Sequence, residues 1–230
     1  MLAIIALSAC TGVQPLSPQK GQTIKLENTV VGYIQIEKRI QYVEHLYRVL
    51  WIQSESQDAV FGDSWDIDSE LTELLSKRLN AHNFHTIPIQ SVLNEEQINA
   101  YKRIYIESDE TGDATRKKGT VIKLTPELQS TLVQKKIGFL LVLYSDYIYS
   151  YSQTGVKQVF PRCQLSIVDI SSNEEIYIAP MPIVGRPEIN ESIREIEDSN
   201  LAGFKKIMFD SVELVASSLI PEALGLPVGD

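Results

Sequence analysis

The sequence predicts a single α/β domain, a mixed and largely antiparallel sheet with amphipathic helices packed against it. Three observations lead there. Apolar residues recur at helical spacing in DIDSELTELLSKRLNAHNF and again in SNLAGFKKIMFDSVELVASSLI, the period that turns one stripe of a helix toward a core. The stretches GFLLVLYSDYIYSYS, VKQVFPRCQLSIVDI and EEIYIAPMPI are rich in β-branched and aromatic residues, which suit a pleated surface. The last two are joined by SSN, a turn composition, so the three read as an antiparallel meander.

Taken in order, the first structured segment is IQIEKRIQYVEHLYRVL. Ile36, Ile40, Val43, Tyr47 and Leu50 fall at helical spacing there, while Ile34 and Ile36 alternate with Gln35 and Glu37. The helix is preferred, with a strand starting near Arg48 and carrying VLWIQS. The next helix places Ile67, Leu71, Leu74, Leu75 and either Arg78 or Leu79 on one face. Asp66 and Asp68 lie in its first turn, where negative charge favours the helix dipole. HTIPIQSV supplies a short strand, followed by a helix from about Asn94 through Tyr101. Residues 107–119 run from acidic to basic around two glycines and read as a solvated loop or hairpin tip. Thr125 then caps a helix, with Pro126 at its first position and Glu127 suited to the dipole. After the three strands, the closing helix carries Leu201, Phe204, Ile207, Met208, Val212, Val215 and Leu219 on one face. The expected order is strand, helix, strand, one or two helices, three strands, helix.

Composition narrows the function. The chain has 230 residues, 43% of them hydrophobic, and a formal net charge of −9. That charge argues against a nucleic-acid surface, which needs clustered Lys and Arg, and against electrostatic binding to anionic lipid. There are two cysteines, Cys10 and Cys163. Cys163 sits in a strand-like stretch and reads as a buried small hydrophobe.

The N-terminus points to an address. Leu2 to Leu7 is an apolar run, Ser8 and Ala9 are small, and Cys10 follows. The quartet Leu7-Ser8-Ala9-Cys10 resembles a bacterial lipobox. That resemblance implies cleavage before Cys10, lipid on its sulfur, and no thiol left to pair with Cys163. No Lys or Arg precedes the run, so the natural start is expected further upstream. The run is far shorter than the ~20 residues of a membrane span, so the protein is expected to be anchored to a membrane rather than to cross it. Residues 1–9 are then a signal remnant, residues 10–30 a lipidated tether that holds Thr, Gly, two Pro, Ser and Gln with no apolar period, and residues 31–230 the domain. Thr11 follows the cysteine. In the enterobacterial sorting rule that such lipoproteins follow, the absence of Asp there implies the outer membrane, facing the periplasm.

The order of elements also resembles a family. The helix DSWDIDSELTELLSKRLNAHNF, the strand TIPI, the strand FLLVLYSDYIY and the pair QLSIVDISSNEEIYI are similar to the periplasmic α/β lipoproteins grouped around the curli secretion lipoprotein. That group includes the lipoprotein activators of penicillin-binding proteins and the N-terminal domain of the Tol-Pal propeller protein. The resemblance covers roughly residues 47–220. It implies assembly or scaffold work at the envelope and supplies no catalytic residues.

Direct tests for chemistry return little. There is no GxSxG, GxGxxG, P-loop or HExxH pattern. His82 and His85 stand three apart in HNFH, but Phe84 and Pro88 signal that the helix has ended, and His45 is remote in sequence. Exposed helix-end histidines are the better account than a metal site, and no cofactor is expected. Carboxylate pairs such as Asp66/Asp68 and Glu95/Glu96 serve capping and solubility as readily as glycoside hydrolysis. One surface feature stands out. Tyr147, Tyr149 and Tyr151 recur at period two in YSDYIYSYS, with Tyr144 upstream on the other face. Tyrosine joins apolar area to a polar tip and is enriched in protein interfaces, so these three are the candidate surface for an envelope partner or a second copy. Two functions follow: a non-catalytic, lipid-anchored scaffold, or a periplasmic hydrolase of cell-wall or polysaccharide material.

Overall fold

The computed structural model describes residues 26–35, 40–47, 54–61, 64–109, 123–152, 157–180 and 189–224. Strand β5 (Phe139–Ser152) is the spine of the sheet. Along one edge of it lie two shorter strands, end to end and both parallel to it. β1 (Thr29–Gln35) pairs with Phe139–Ser145, and β2 (Ile40–Tyr47) places Ile40–Glu44 beside Ile148–Ser152. Along the other edge runs β6 (Lys157–Asp169), antiparallel over nearly its whole length, and β7 (Glu174–Pro180) pairs antiparallel with β6. β3 (Ser54–Val60) forms a hairpin with β2, and the short β4 (Thr86–Pro88) lies parallel to the start of β1. The sheet is therefore mixed, its longest ladder is antiparallel, and the meander β5–β6–β7 stands as the sequence predicts.

Helices cover both faces. α1 (Ile67–Ala81) and α5 (Ala202–Leu214) supply Leu71, Leu75, Leu79, Phe204, Met208 and Val212 to one apolar cluster, with Val31, Tyr33, Leu141, Leu143, Leu165 and Ile167 from the sheet. α2 (Glu95–Asp109) and α3 (Pro126–Gln134) supply Tyr101, Leu128 and Leu132 to the other, with Val30, Ile34, Leu140, Val142 and Val168. Alternate residues of one strand thus feed opposite cores, and the architecture is a three-layer α/β sandwich. A short helix, α4 (Ile193–Asp198), precedes α5. Beyond α5 the chain continues through a π-helical turn, Val215–Leu219, into α6 (Ile220–Ala223). Pro221 has no N–H to continue the regular ladder, and the Ile220 N–H reaches back to the Val215 carbonyl.

Local chemistry explains the boundaries. Thr125 caps α3, whose first residue is Pro126, as the sequence predicts, while Asp66, expected in the first turn of α1, is its N-cap. Asn173, at φ 56° in the turn between β6 and β7, donates its amide to the Leu124 carbonyl (2.9 Å) and accepts the Leu124 N–H (2.8 Å). The Asp169–Asn173 turn thereby holds the start of α3.

Four expectations are corrected. The helix expected within residues 34–50 is not formed: Ile34 and Gln35 close β1, and residues 40–47 are strand β2, in which Ile40 and Tyr42 are buried and Gln41 and Val43 are half-buried. Its period is two, and ladders on both sides satisfy its backbone. Residues 26–30, expected in the tether, belong to the domain: Leu26 is 2% exposed within the first cluster, and β1 begins at Thr29, while residues 10–25 lie outside the described residues. α2 extends to Asp109, so the expected loop over 107–119 falls partly in a helix and, for residues 110–119, outside the described residues. α4 was not expected, although Ser192 and Glu195 form a complete capping box. The strand expected from near Arg48 through VLWIQS spans residues 48–54; residues 48–53 lie outside the described residues, and Ser54 opens β3.

Leu26→Ala is expected to cost about 2–4 kcal/mol, the usual range for emptying a buried leucine site. A chain starting at Ile24 is expected to melt with the chain starting at Cys10, whereas one starting at Val31 should lose cooperative unfolding. Chemical denaturation followed by circular dichroism checks all three.

Candidate functional site

In open α/β sheets, ligands settle beyond the carboxyl ends of the strands, where neighbouring connections diverge. That place here is the end of β1, flanked by β4 on one side and β5 on the other, all parallel. β4 is short and pairs only with Thr29–Val31. Among the described residues no strand lies beside the outer edge of β1 past Val31, yet Tyr33 and Gln35 are buried. Their N–H groups need acceptors, because a buried orphan costs about 1–3 kcal/mol.

Helix α1 provides them. Asp68, Thr72, Ser76 and Asn80 recur every fourth residue and so form one stripe along it. The Tyr33 N–H donates to Thr72 Oγ1 at 2.7 Å, and the Gln35 N–H donates to Asp68 Oδ1 at 2.8 Å. One turn further, Ser76 Oγ reaches the Thr86 carbonyl at 3.3 Å. Asn80 then engages both backbone groups of Thr86, accepting its N–H at 2.7 Å and donating to its carbonyl at 3.0 Å. The helix stands in for a missing strand.

Two further contacts close the notch. Asp68 Oδ2 also pairs with Lys102 of α2, and the two side chains are only 13% and 19% exposed. Ile89, in the 3₁₀ turn Ile89–Ser91 after β4, lies over Gly32, where an added Cβ would sit 3.1 Å from Ile89 Cγ2. Glycine at 32 is what lets the turn approach β1 so closely. Behind them the hydroxyls of Tyr33 and Ser145, both buried, share a hydrogen bond of 2.6 Å. The polar atoms of Asp68, Thr72 and Lys102 are thus engaged by the fold along this edge of β1. The sequence displays the Asp-Thr-Ser-Asn spacing, but there it reads as the wet side of an amphipathic helix.

The expected site residues are dispersed. α1 ends at Ala81, so His82 and His85 follow it in an exposed turn with Asn83 at φ 66°, and no single helical face carries both. His45 lies in β2. Asp66 is a cap, Asp68 belongs to the strand-edge stripe, and Glu95 and Glu96 are exposed in the first turn of α2. Among the described residues no three His, Cys, Asp or Glu stand together as a metal site, and no helix is long and apolar enough to cross a membrane. Cys10 lies outside the described residues, and Cys163 is in β6 opposite Ser145.

The tyrosines occupy the far half of β5. A register shift lies between Ser145 and Ile148 and takes in Asp146 and Tyr147. It changes the phase of the strand. Before it, odd-numbered Leu141 and Leu143 face the first cluster; after it, even-numbered Ile148 does. The shift takes in Tyr147 and leaves Tyr149 and Tyr151 in regular register beyond it. Two rows cross the sheet there: Val60, Gln41, Tyr149 and Phe160, then Asp58, Val43, Tyr151 and Gln158. Val60 is 62% exposed, and Gln41 and Val43 are half-buried.

Thr72→Val keeps the shape of the side chain and removes the acceptor of the Tyr33 N–H, so a loss of about 1–3 kcal/mol is expected. For Asp68 and Lys102, a double-mutant cycle with Asp68→Ala and Lys102→Met should show a coupling of about 1 kcal/mol or more in urea denaturation. A coupling near zero would mean that the pair contributes nothing to holding α2.

No protein-family model and no curated protein matches the chain. Among solved structures it is similar to the 1.65 Å structure of the hypothetical protein CT253 from Chlamydia trachomatis, at a TM-score of 0.38 and 11% identity, over 83% of this chain and 96% of that one.

Proposed function

We propose that this chain is a non-catalytic, lipid-anchored protein of the bacterial envelope, facing the periplasm from the outer membrane. It serves there as a scaffold or accessory part of a secretion, export or cell-wall assembly. The observation that carries the binding role is the face across β3, β2, β5 and β6, where Tyr149 and Tyr151 stand in register with exposed Val60 and half-buried Gln41 and Val43. A sheet surface bearing tyrosines beside aliphatic and amide residues has the composition of a protein interface. The anchor rests on Leu7-Ser8-Ala9-Cys10 alone.

A variant carrying Tyr149→Ser and Tyr151→Ser is expected to melt within a few degrees of the parent and to lose its crosslinked partner when purified from envelopes. Retention of every partner by a folded variant would remove this face from the function, and unfolding would make the tyrosines structural. In the full native precursor, Cys10→Ser is expected to move the protein from the membrane fraction to the soluble one and to abolish the acyl mass on the N-terminal peptide. Unchanged membrane association would end the anchor reading.

A further inference from the structure

We draw no further inference here: the strongest candidate, the sheet face beyond the β5 bulge where Val60, Gln41, Val43, Tyr149 and Tyr151 stand in register, is the surface already assigned to a partner, and nothing in the structure shows what covers it.

Discussion

The rest of the structure depends on how the open edge of β1 is satisfied. β1 is central, and all seven of its residues are buried. β4 accompanies it only as far as Val31. An interior strand left half-paired would strand the Tyr33 and Gln35 N–H groups, at about 1–3 kcal/mol each, against a total stability on the order of 5–15 kcal/mol for a domain. Thr72 and Asp68 accept them. In doing so they fix the axial position of α1, which in turn decides where Leu71, Leu75 and Leu79 meet the sheet. Hydrogen bonding sets the register and apolar burial supplies the bulk of the stabilisation. The same Asp68 carboxylate also reaches Lys102, so the layers on the two faces of the sheet are tied together across that edge.

A second constraint acts in β5. A strand of fourteen residues with unbroken alternation would keep the same parity against the same core from end to end. The register shift between Ser145 and Ile148 breaks that rule, so Ile148 rather than Tyr147 continues the first cluster. The partner strand has Pro161 opposite Ile148, immediately beside the shift. Proline cannot donate to a ladder and is found in sheets mostly at edges and bulges. At that point β6 lies beyond its pairing with β7, which begins at Gln164, so the missing donor falls on a stretch of strand with fewer ladder bonds to lose.

What was legible in the sequence follows from what was local. α1, α3, α5 and the meander announce themselves through period, caps and turn residues, each of which acts within a few positions. β1 does not. Buried on both faces, TVVGYIQ shows no alternation to detect, and it sits next to a polar, Pro-bearing segment that reads as a tether. β2 misleads for a different reason: Ile40, Val43 and Tyr47 fit a helical stripe by spacing, and only β3 and β5 on either side make the strand the lower-energy choice. In the candidate site, the period-two spacing of the tyrosines was readable in the sequence. The bulge that sets Tyr147 apart was not, because its signal, Pro161, lies on another strand.

The polar stripe of α1 shows how residue type alone can mislead about function. Asp, Thr, Ser and Asn at four-residue intervals on one helix, with a lysine across from them, have the composition of a catalytic cluster. Each has a structural duty: Thr72 and Asp68 complete β1, while Ser76 and Asn80 hold β4. Asn80 meets both backbone groups of Thr86, as a neighbouring strand would, and Pro88 ends β4 without a donor. Those two devices blunt that edge of the sheet against unwanted pairing. The face across β3, β2, β5 and β6, on which the proposed function rests, lies elsewhere. That face belongs to the half of the sheet furthest from β4, where β2 rather than β1 lies beside β5.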